Sequence, residues 1–385
     1  MHFWFFAAQY LPTIGGVERY TQNLAAAVVG MGHGATVITS ALPGLPAREV
    51  DENGVQVLRL PARLWLGGRL PGLRKNAQFR RLAAELLASP CDLAVINTRF
   101  YPLSLWAAKA CSKNNVPALI LDHSSGHLSL GGRLLDIPVH WYEHWAMRRV
   151  KRQCGHFYGV SQGCVDWLGH FGVQANGVLY NAVNPARLQA LAAASAYDPR
   201  AAFGIAPDAP LAVFSGRLIP EKGVFQLLDA FPLVRQRLPG AALVLAGGGP
   251  SLEALKTKQV PGVYFAGPLD YADNLALVAT ADAYCLPTRY AEGFPTGALE
   301  AAALKTPVVC TTAGGLPELV RDGESGLFVD GHSPQSIADG LLRALSDDAW
   351  RAGATKAAYA RLCERFTWQR TAGALIKIAE KDGGA

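Results

Sequence analysis

Two glutamates eight residues apart, Glu292 and Glu300, stand in the stretch PTRYAEGFPTGALEAAALKTPVVCTTAGGL, residues 287–316. The apolar run over 281–286 predicts a buried strand. It is followed by a loop bearing Gly and Pro, an Ala/Leu-rich helix from about Thr296 to Lys305, and a second strand from Pro307 to Thr312. Glu292 then falls in the loop and Glu300 in the helix, separated along the axis by up to roughly 12 Å. That separation suits two sets of hydroxyls at the ends of a nucleotide-diphosphate sugar: one carboxylate for the sugar, the other for the ribose diol. The amides of 293–297, at the helix N-terminus, would meet the diphosphate between them. Spaced glutamates also occur on solvated helix faces, so the reading depends on its companions.

Those companions lie upstream. The segment SGRLIPEKG, residues 215–223, follows an apolar run and carries Arg217, a planar fork for phosphate oxygens, and Lys222, a mobile point charge. Gly15 and Gly16 sit between the first strand and a helix from Glu18 to Gly30, an arrangement that lets backbone amides approach a phosphate or that simply makes a tight turn. Its apolar face is read as Val17, Tyr20, Leu24, Ala27 and Val28. His123, in DHSSGH after the strand Pro117–Asp122, lies where open α/β sheets place ligands, and it is favoured over His127 because it follows the strand directly.

The elements that must hold these residues follow an α/β pattern. With 385 residues, half of them apolar and 17% charged, two packed domains are expected. Strands are predicted at the N-terminus, over Thr36–Thr39, Leu93–Asn97, Pro117–Asp122, Phe157–Ser161 and Gly177–Asn181. The low-apolarity stretch Pro185–Pro210 is read as the domain junction. A second series then begins with strand Leu211–Ser215, helix Val224–Arg237, strand Ala242–Ala246, turn Gly247–Pro250, helix Leu252–Lys258, strand Val263–Ala266 and helix Ala272–Ala279. A last stripe, Trp368, Ala372, Leu375, Ile376 and Ala379, predicts a helix suited to docking on a neighbouring domain.

Seven cysteines without a CxxC pair favour free thiols in a reducing compartment over a disulfide framework or a zinc site. The opening MHFWFF is read as a buried strand and not as a signal peptide, and no run is long enough to cross a membrane. The net charge of +6 is concentrated in two places. Residues 61–82 carry Arg63, Arg69, Arg74, Lys75, Arg80 and Arg81 with Trp65 and Phe79, and are read as a basic loop and helix. Residues 139–152, a predicted helix, crowd Trp141, Tyr142 and Trp145 beside Arg148, Arg149, Lys151 and Arg152. Both suit either a solvated basic surface or contact with anionic lipid or a lipid-linked phosphate. Nucleic acid is not expected, since no binding motif accompanies the charge.

Gly15–Gly16, His123, Asn181 with Asn184, GRLxxxKG, EGFP-x4-E and AGGLPEL together resemble glycosyltransferase family 4, the retaining GT-B enzymes of group 1 type. The resemblance spans nearly the whole chain and is most specific in its second half. It implies two Rossmann-like doubly wound domains facing across a cleft. An acceptor-side domain would cover 1–186, with helix 367–380 packed back on it, and a nucleotide-sugar domain would cover 187–366. Carried over to this sequence, Arg217 and Lys222 hold the diphosphate, Glu300 the ribose, and Glu292 with Gly293, Phe294 and Pro295 the donor sugar. Gly15 and Gly16 close on the phosphate, and His123 touches the sugar near the reacting carbon. The catalytic set is thus His123, Glu292, Arg217 and Lys222.

Two departures stand out: Asn181-Ala182-Val183-Asn184 lacks the Gly and the acid of the usual hinge, and Pro295 replaces a glycine whose amide it cannot supply. No D-x-D triplet is present to seat a divalent metal, so no metal or other cofactor is expected, and the nucleotide sugar is a substrate. The resemblance implies a UDP- or GDP-linked donor and transfer with retention, the departing phosphate taking the acceptor's proton. The acceptor is expected to be a saccharide or lipid-linked saccharide in cell-surface polysaccharide or glycolipid synthesis. The enzyme is expected in the cytoplasm with peripheral contact at the inner membrane face. The same architecture also serves sugar-nucleotide 2-epimerases and would serve a non-catalytic sugar-nucleotide binder, which are the competing readings.

Overall fold

The computed structural model describes residues 1–13, 15–65, 70–128 and 133–382. Ile14, in the first glycine turn, and Arg69, in the basic stretch, lie outside them. The chain divides into two compact units, Met1–Asn181 with Trp368–Ala385, and Ala182–Thr367. The first passage between units therefore falls five residues before the position read from the sequence. Asn184 there serves as a helix cap, accepting from the Arg187 amide at 3.1 Å, and so belongs with the helix Pro185–Ala194 that it starts.

The strands of the first unit are β1 (His2–Phe6), β2 (Gly34–Ser40), β3 (Arg48–Val50), β4 (Gln56–Leu60), β5 (Ala62–Trp65), β6 (Leu70–Leu73), β7 (Leu93–Asn97), β8 (Ala118–Asp122), β9 (Phe157–Gly159) and β10 (Gly177–Val178). Eight of them form one sheet in the order β10-β9-β8-β7-β1-β2-β4-β3. All pair in parallel except β3, which runs antiparallel to β4 at the edge. Central strands such as FWFF in β1 and LAVIN in β7 are apolar throughout because helices cover both faces of a parallel sheet. The chain runs from β1 outward through β2 and β4, then returns to β7 beside β1. The direction of winding reverses between β1 and β7, the place where doubly wound sheets open a crevice at their carboxyl ends.

The second unit holds β11 (Leu211–Ser215), β12 (Ala242–Ala246), β13 (Val263–Gly267), β14 (Ala283–Leu286), β15 (Val308–Cys310) and β16 (Leu327–Phe328). They form an all-parallel sheet in the order β13-β12-β11-β14-β15-β16. This is the 3-2-1-4-5-6 dinucleotide-fold order, reversing between β11 and β14. Both units are thus Rossmann-like, as expected.

Three local expectations change. In the basic stretch 61–82 a loop and helix are expected. It instead forms an antiparallel hairpin, β5 with β6, followed by the helix Ala77–Leu87, capped by Asn76 accepting from the Phe79 amide at 2.8 Å. The Trp65 ring covers Gly72, where a Cβ would meet it at 2.8 Å, so the glycine is what lets this small hairpin close. The junction stretch 185–210 is helical over Pro185–Ala194 and Pro199–Phe203, because Asn184 and Asp198 each cap a helix that starts with Pro. In the helix Gly16–Gly30 the buried face is Glu18, Tyr20, Thr21, Leu24, Ala25 and Val28, and not Val17 and Ala27.

The helix Trp368–Asp382 buries Trp368, Thr371, Ala372, Leu375, Ile376 and Ala379. It belongs to the first unit and packs on the helix Gly16–Gly30, with Tyr20 meeting Trp368 edge to face at 5.3 Å and Thr371 donating to the Tyr180 carbonyl at 3.0 Å. All seven cysteines are free. No described helix is long and apolar enough to cross a membrane.

Candidate active site

In the second unit the sequence candidates gather at the carboxyl ends of β11 and β14, on the two sides of the winding reversal. β11 runs into Gly216-Arg217-Leu218, a one-turn 3-10 helix Pro220–Lys222, and Gly223 at φ +73°. A Cβ on Gly223 would lie 2.1 Å from the Pro287 carbonyl oxygen, so only glycine lets the β11 and β14 loops touch here while starting the helix Val224–Arg237. The same contact is held by Arg289, whose amide donates to the Glu221 carbonyl at 2.7 Å.

Lys222 reaches across this junction and forms an ion pair with Glu292 Oε1, both side chains largely buried. Thr288 donates to the same oxygen at 3.3 Å, and the Lys222 ammonium lies 5.6 Å from the Tyr290 ring. The residue expected to hold phosphate and the residue expected to hold sugar are therefore partners of each other. Gly314 fixes the other side of the Glu292 loop: at φ +55°, a Cβ there would sit 2.3 Å from the Glu292 carbonyl oxygen.

Glu300 rides on the helix Thr296–Ala303, two residues shorter than expected, which starts directly after Pro295. The helix is buried along Ala298–Ala303, and Glu300 is only 6% exposed. Tyr271 donates its hydroxyl proton to Glu300 Oε1 at 2.9 Å. Gly297 lets the Tyr284 hydroxyl approach to where a Cβ would lie 2.2 Å away. Burial first, then the Glu300 and Glu292 carboxylates, push the Tyr284 phenol pKa far up, so both acids act on one point at the end of β14.

Arg217 is exposed, and its carbonyl accepts from the Ile219 amide at 3.0 Å. Beside it the loops after β11, β12 and β13 touch backbone to backbone: Leu218 donates to Gly248 at 2.9 Å, Gly247 to Gly267 at 2.7 Å, and a Cβ on Gly247 would lie 2.0 Å from the Gly216 oxygen. Ser215 donates to the Asn274 side-chain oxygen.

In the first unit, His123 follows β8. Its Nε2 lies 2.8 Å from Asn97 Oδ1, and Asn97 spends its amide hydrogen on the Phe6 carbonyl at 3.2 Å. Asn97 Oδ1 is therefore the acceptor, the imidazole proton is on Nε2, and Nδ1 carries the lone pair. The Tyr20 ring meets His123 edge-on at 4.9 Å, and burial drives its pKa down to about 3. His123 is neutral at pH 7.

At Gly15–Gly16 the structure adds an unexpected tenant. Glu18, in the first turn of the helix Gly16–Gly30, is buried with its Oε2 2.3 Å from where a Gly15 Cβ would stand. Burial raises its pKa, partly offset by its own backbone amide. A side-chain carboxylate thus lies where a phosphate was expected to meet these amides.

Sequence reading missed Arg99. Fully buried, it pairs with Asp122, with Glu143 Oε1 at 2.7 Å and with Ser124 at 3.2 Å, its guanidinium 4.5 Å from the Phe171 ring. Glu143 Oε2 in turn takes His127 Nδ1 at 2.8 Å. The network braces the loop that carries His123. Thr98, next to it, has φ +64°, a strained setting for a β-branched residue at the carboxyl end of β7. The available signal was an arginine directly after an apolar strand and an acid, Asp122, at the end of its neighbour.

Comparison with known proteins agrees with this architecture. The family model described as "Glycosyltransferase Family 4" matches residues 14–187, and "Glycosyl transferases group 1" matches 198–361. Glycogen synthase of Mycobacterium tuberculosis is 27% identical over 97% of this chain and 94% of its own length. A GDP-mannose-dependent alpha-(1-6)-phosphatidylinositol monomannoside mannosyltransferase of the same organism is 29% identical over 97% of both. Among solved structures, sucrose-phosphate synthase from Thermosynechococcus elongatus shares the fold at a TM-score of 0.76 and 20% identity, covering 99% of this chain and 98% of that one. HepE from Anabaena, crystallised with UDP, does so at 0.75 and 21% identity, covering 99% and 100%. With a family model matched to each unit, the chain belongs to glycosyltransferase family 4, the group 1 enzymes of GT-B fold, and catalyses nucleotide-sugar-dependent glycosyl transfer.

Proposed function

We propose that the enzyme moves a hexosyl group, with retention of configuration and without a metal at the donor, from a UDP- or GDP-linked sugar to a saccharide or lipid-linked acceptor. The observation that carries this reading is that Glu292, paired with Lys222, and the Tyr271-bonded Glu300 lie on the loop and helix that follow β14, both acids acting on Tyr284. Glu300, already holding one hydroxyl, is suited to the ribose diol. The Lys222–Glu292 pair offers an ammonium to the diphosphate and a carboxylate to the sugar, and Arg217 adds an exposed fork for phosphate oxygens. These cations and the helix start at Thr296 neutralise the leaving group, the role a metal takes elsewhere. Among the described residues no carboxylate pair is poised for double displacement. Instead the C1–O bond to phosphate breaks, the acceptor oxygen bonds C1 on the same face, and its proton passes to the departing phosphate oxygen. In the first unit, neutral His123 presents Nδ1 as an acceptor for a sugar hydroxyl, and the Gly15–Gly16 turn serves phosphate once Glu18 yields its place.

A thermal-shift screen tests the donor assignment. UDP- or GDP-sugar should raise the melting temperature with EDTA present throughout, and Glu300→Ala should remove the increment. An increment that needs metal, or one unchanged in Glu300→Ala, would contradict it.

A membrane-held acceptor is supported by the helix Arg133–Lys151, where Trp141 is 75% and Trp145 44% exposed and Arg149 lies over the Trp145 ring at 5.0 Å. Sedimentation with anionic vesicles should show binding that falls as salt rises, each basic group near the surface adding about 1 kcal/mol. Equal sedimentation with neutral vesicles would contradict an electrostatic contact.

A further inference from the structure

Four of the nine histidines gather in one place in the first unit: His127 in the loop after β8, His140 and His144 one turn apart on the helix Arg133–Lys151, and His170 just past the helix Gln162–Gly169. The donor-site reading uses none of them. The rings of His127, His144 and His170 are mutual neighbours, with centroids 5.7 Å (127–144), 4.9 Å (127–170) and 5.2 Å (144–170) apart. One nitrogen from each lies within 4.8 Å of the others.

The surroundings prepare these nitrogens for a metal. Glu143 is fully buried and accepts His127 Nδ1 at 2.8 Å, which puts the proton on Nδ1 and leaves Nε2 as the lone-pair donor. A carboxylate behind a histidine is the usual means of fixing a ligand's tautomer and orientation. Glu143 itself is occupied by Arg99 at 2.7 Å and the Leu128 amide at 3.2 Å, so it acts as the orienting group and not as a ligand. His170 lies flat on Trp167, with centroids 4.6 Å apart and planes 4° from parallel, which limits its ring to small rotations.

We propose that His127, His144 and His170 form a three-histidine site for a divalent transition metal of the zinc class. Metal–nitrogen bonds of 2.0–2.1 Å bring tetrahedral ligands to roughly 3.4 Å from one another, so modest ring rotation closes the present spacing. Three imidazoles and an open fourth place suit zinc better than the oxygen-seeking calcium or magnesium. A cavity of about 390 Å³ lies against His144 and His170 and is lined also by Arg148, Lys151 and Arg152, so an anionic oxygen drawn by these cations would complete the set. The metal ties three elements together behind the loop that carries His123. Its role is positional, and it is independent of the metal-free donor reading, which rests on residues of the second unit.

The test uses the full, untagged chain, stripped with chelator and titrated with zinc alone. One equivalent should bind and raise the melting temperature, and cobalt in its place should give the visible absorption of tetrahedral coordination. His144→Ala, at a half-buried position, and His170→Ala, at an exposed one, should each weaken binding at least tenfold. His156→Ala, exposed and outside the cluster, should bind as the parent does. Metal-free melting of each variant separates lost binding from lost folding. No saturable binding to the parent chain, or binding undiminished in both folded variants, would overturn the site.

Discussion

His123 shows how far a residue's neighbours can remove it from its ordinary chemistry. Its Nε2 is committed to Asn97 and the Tyr20 ring lies against it, and burial drives its pKa down to about 3. A lowered histidine pKa means the unfolded chain binds more protons than the native one between about pH 6.5 and 3. Its contribution to stability is whole above 6.5 and is lost as pH falls, at about 1.4 kcal/mol per unit. In NMR titration the His123 ring resonances should stay flat from pH 8 to 5, and no imidazole limb from this residue should enter the pH–rate profile. A transition near 6.5 would contradict the neutral assignment. The position of His123 after a strand was legible in the sequence; its tautomer was not, because Asn97 and Phe6 are brought to it only by the pairing of β7 with β8 and β1. Arg99 was missed for the same reason: a lone arginine reads as surface until the sheet places Asp122 beside it, with Glu143 close by.

At the scale of elements, chemistry depends on loops that touch because particular positions lack a side chain. Gly223 and Gly314 each combine positive φ with a backbone oxygen just over 2 Å from the missing Cβ. Gly223→Ala should cost roughly 1–3 kcal/mol through left-handed strain alone, and should weaken donor binding by pushing the Lys222 turn from the Glu292 loop. Denaturant unfolding and donor titration measure both, and an alanine variant matching the parent in each would contradict the account. Strands were the most legible elements: β7, β11 and β12 match their apolar runs end for end. The hairpin β5–β6 was not, since its strands are four residues each, β5 is exposed and β6 is interrupted by Pro71 and Gly72, and the Trp65–Gly72 contact selects it over a loop.

At the scale of the whole chain, each unit is built on one main sheet, wound outward from a central strand and then back, and each places candidate site residues in the loops at the carboxyl ends of its strands. The motifs pointed to this organisation because their glycines and charges recur after predicted strands. The partnering of Lys222 with Glu292, and the seating of Glu18 against Gly15, were invisible because they join residues far apart in the chain or compete with a ligand. The central claim is that protein cations stabilise the departing diphosphate. Steady-state transfer by Lys222→Ala, assayed with EDTA present and folding verified, tests it most directly. Loss of one preorganised donor of about 3 kcal/mol should lower kcat 10²–10³-fold, whereas turnover within threefold of the parent would contradict the claim.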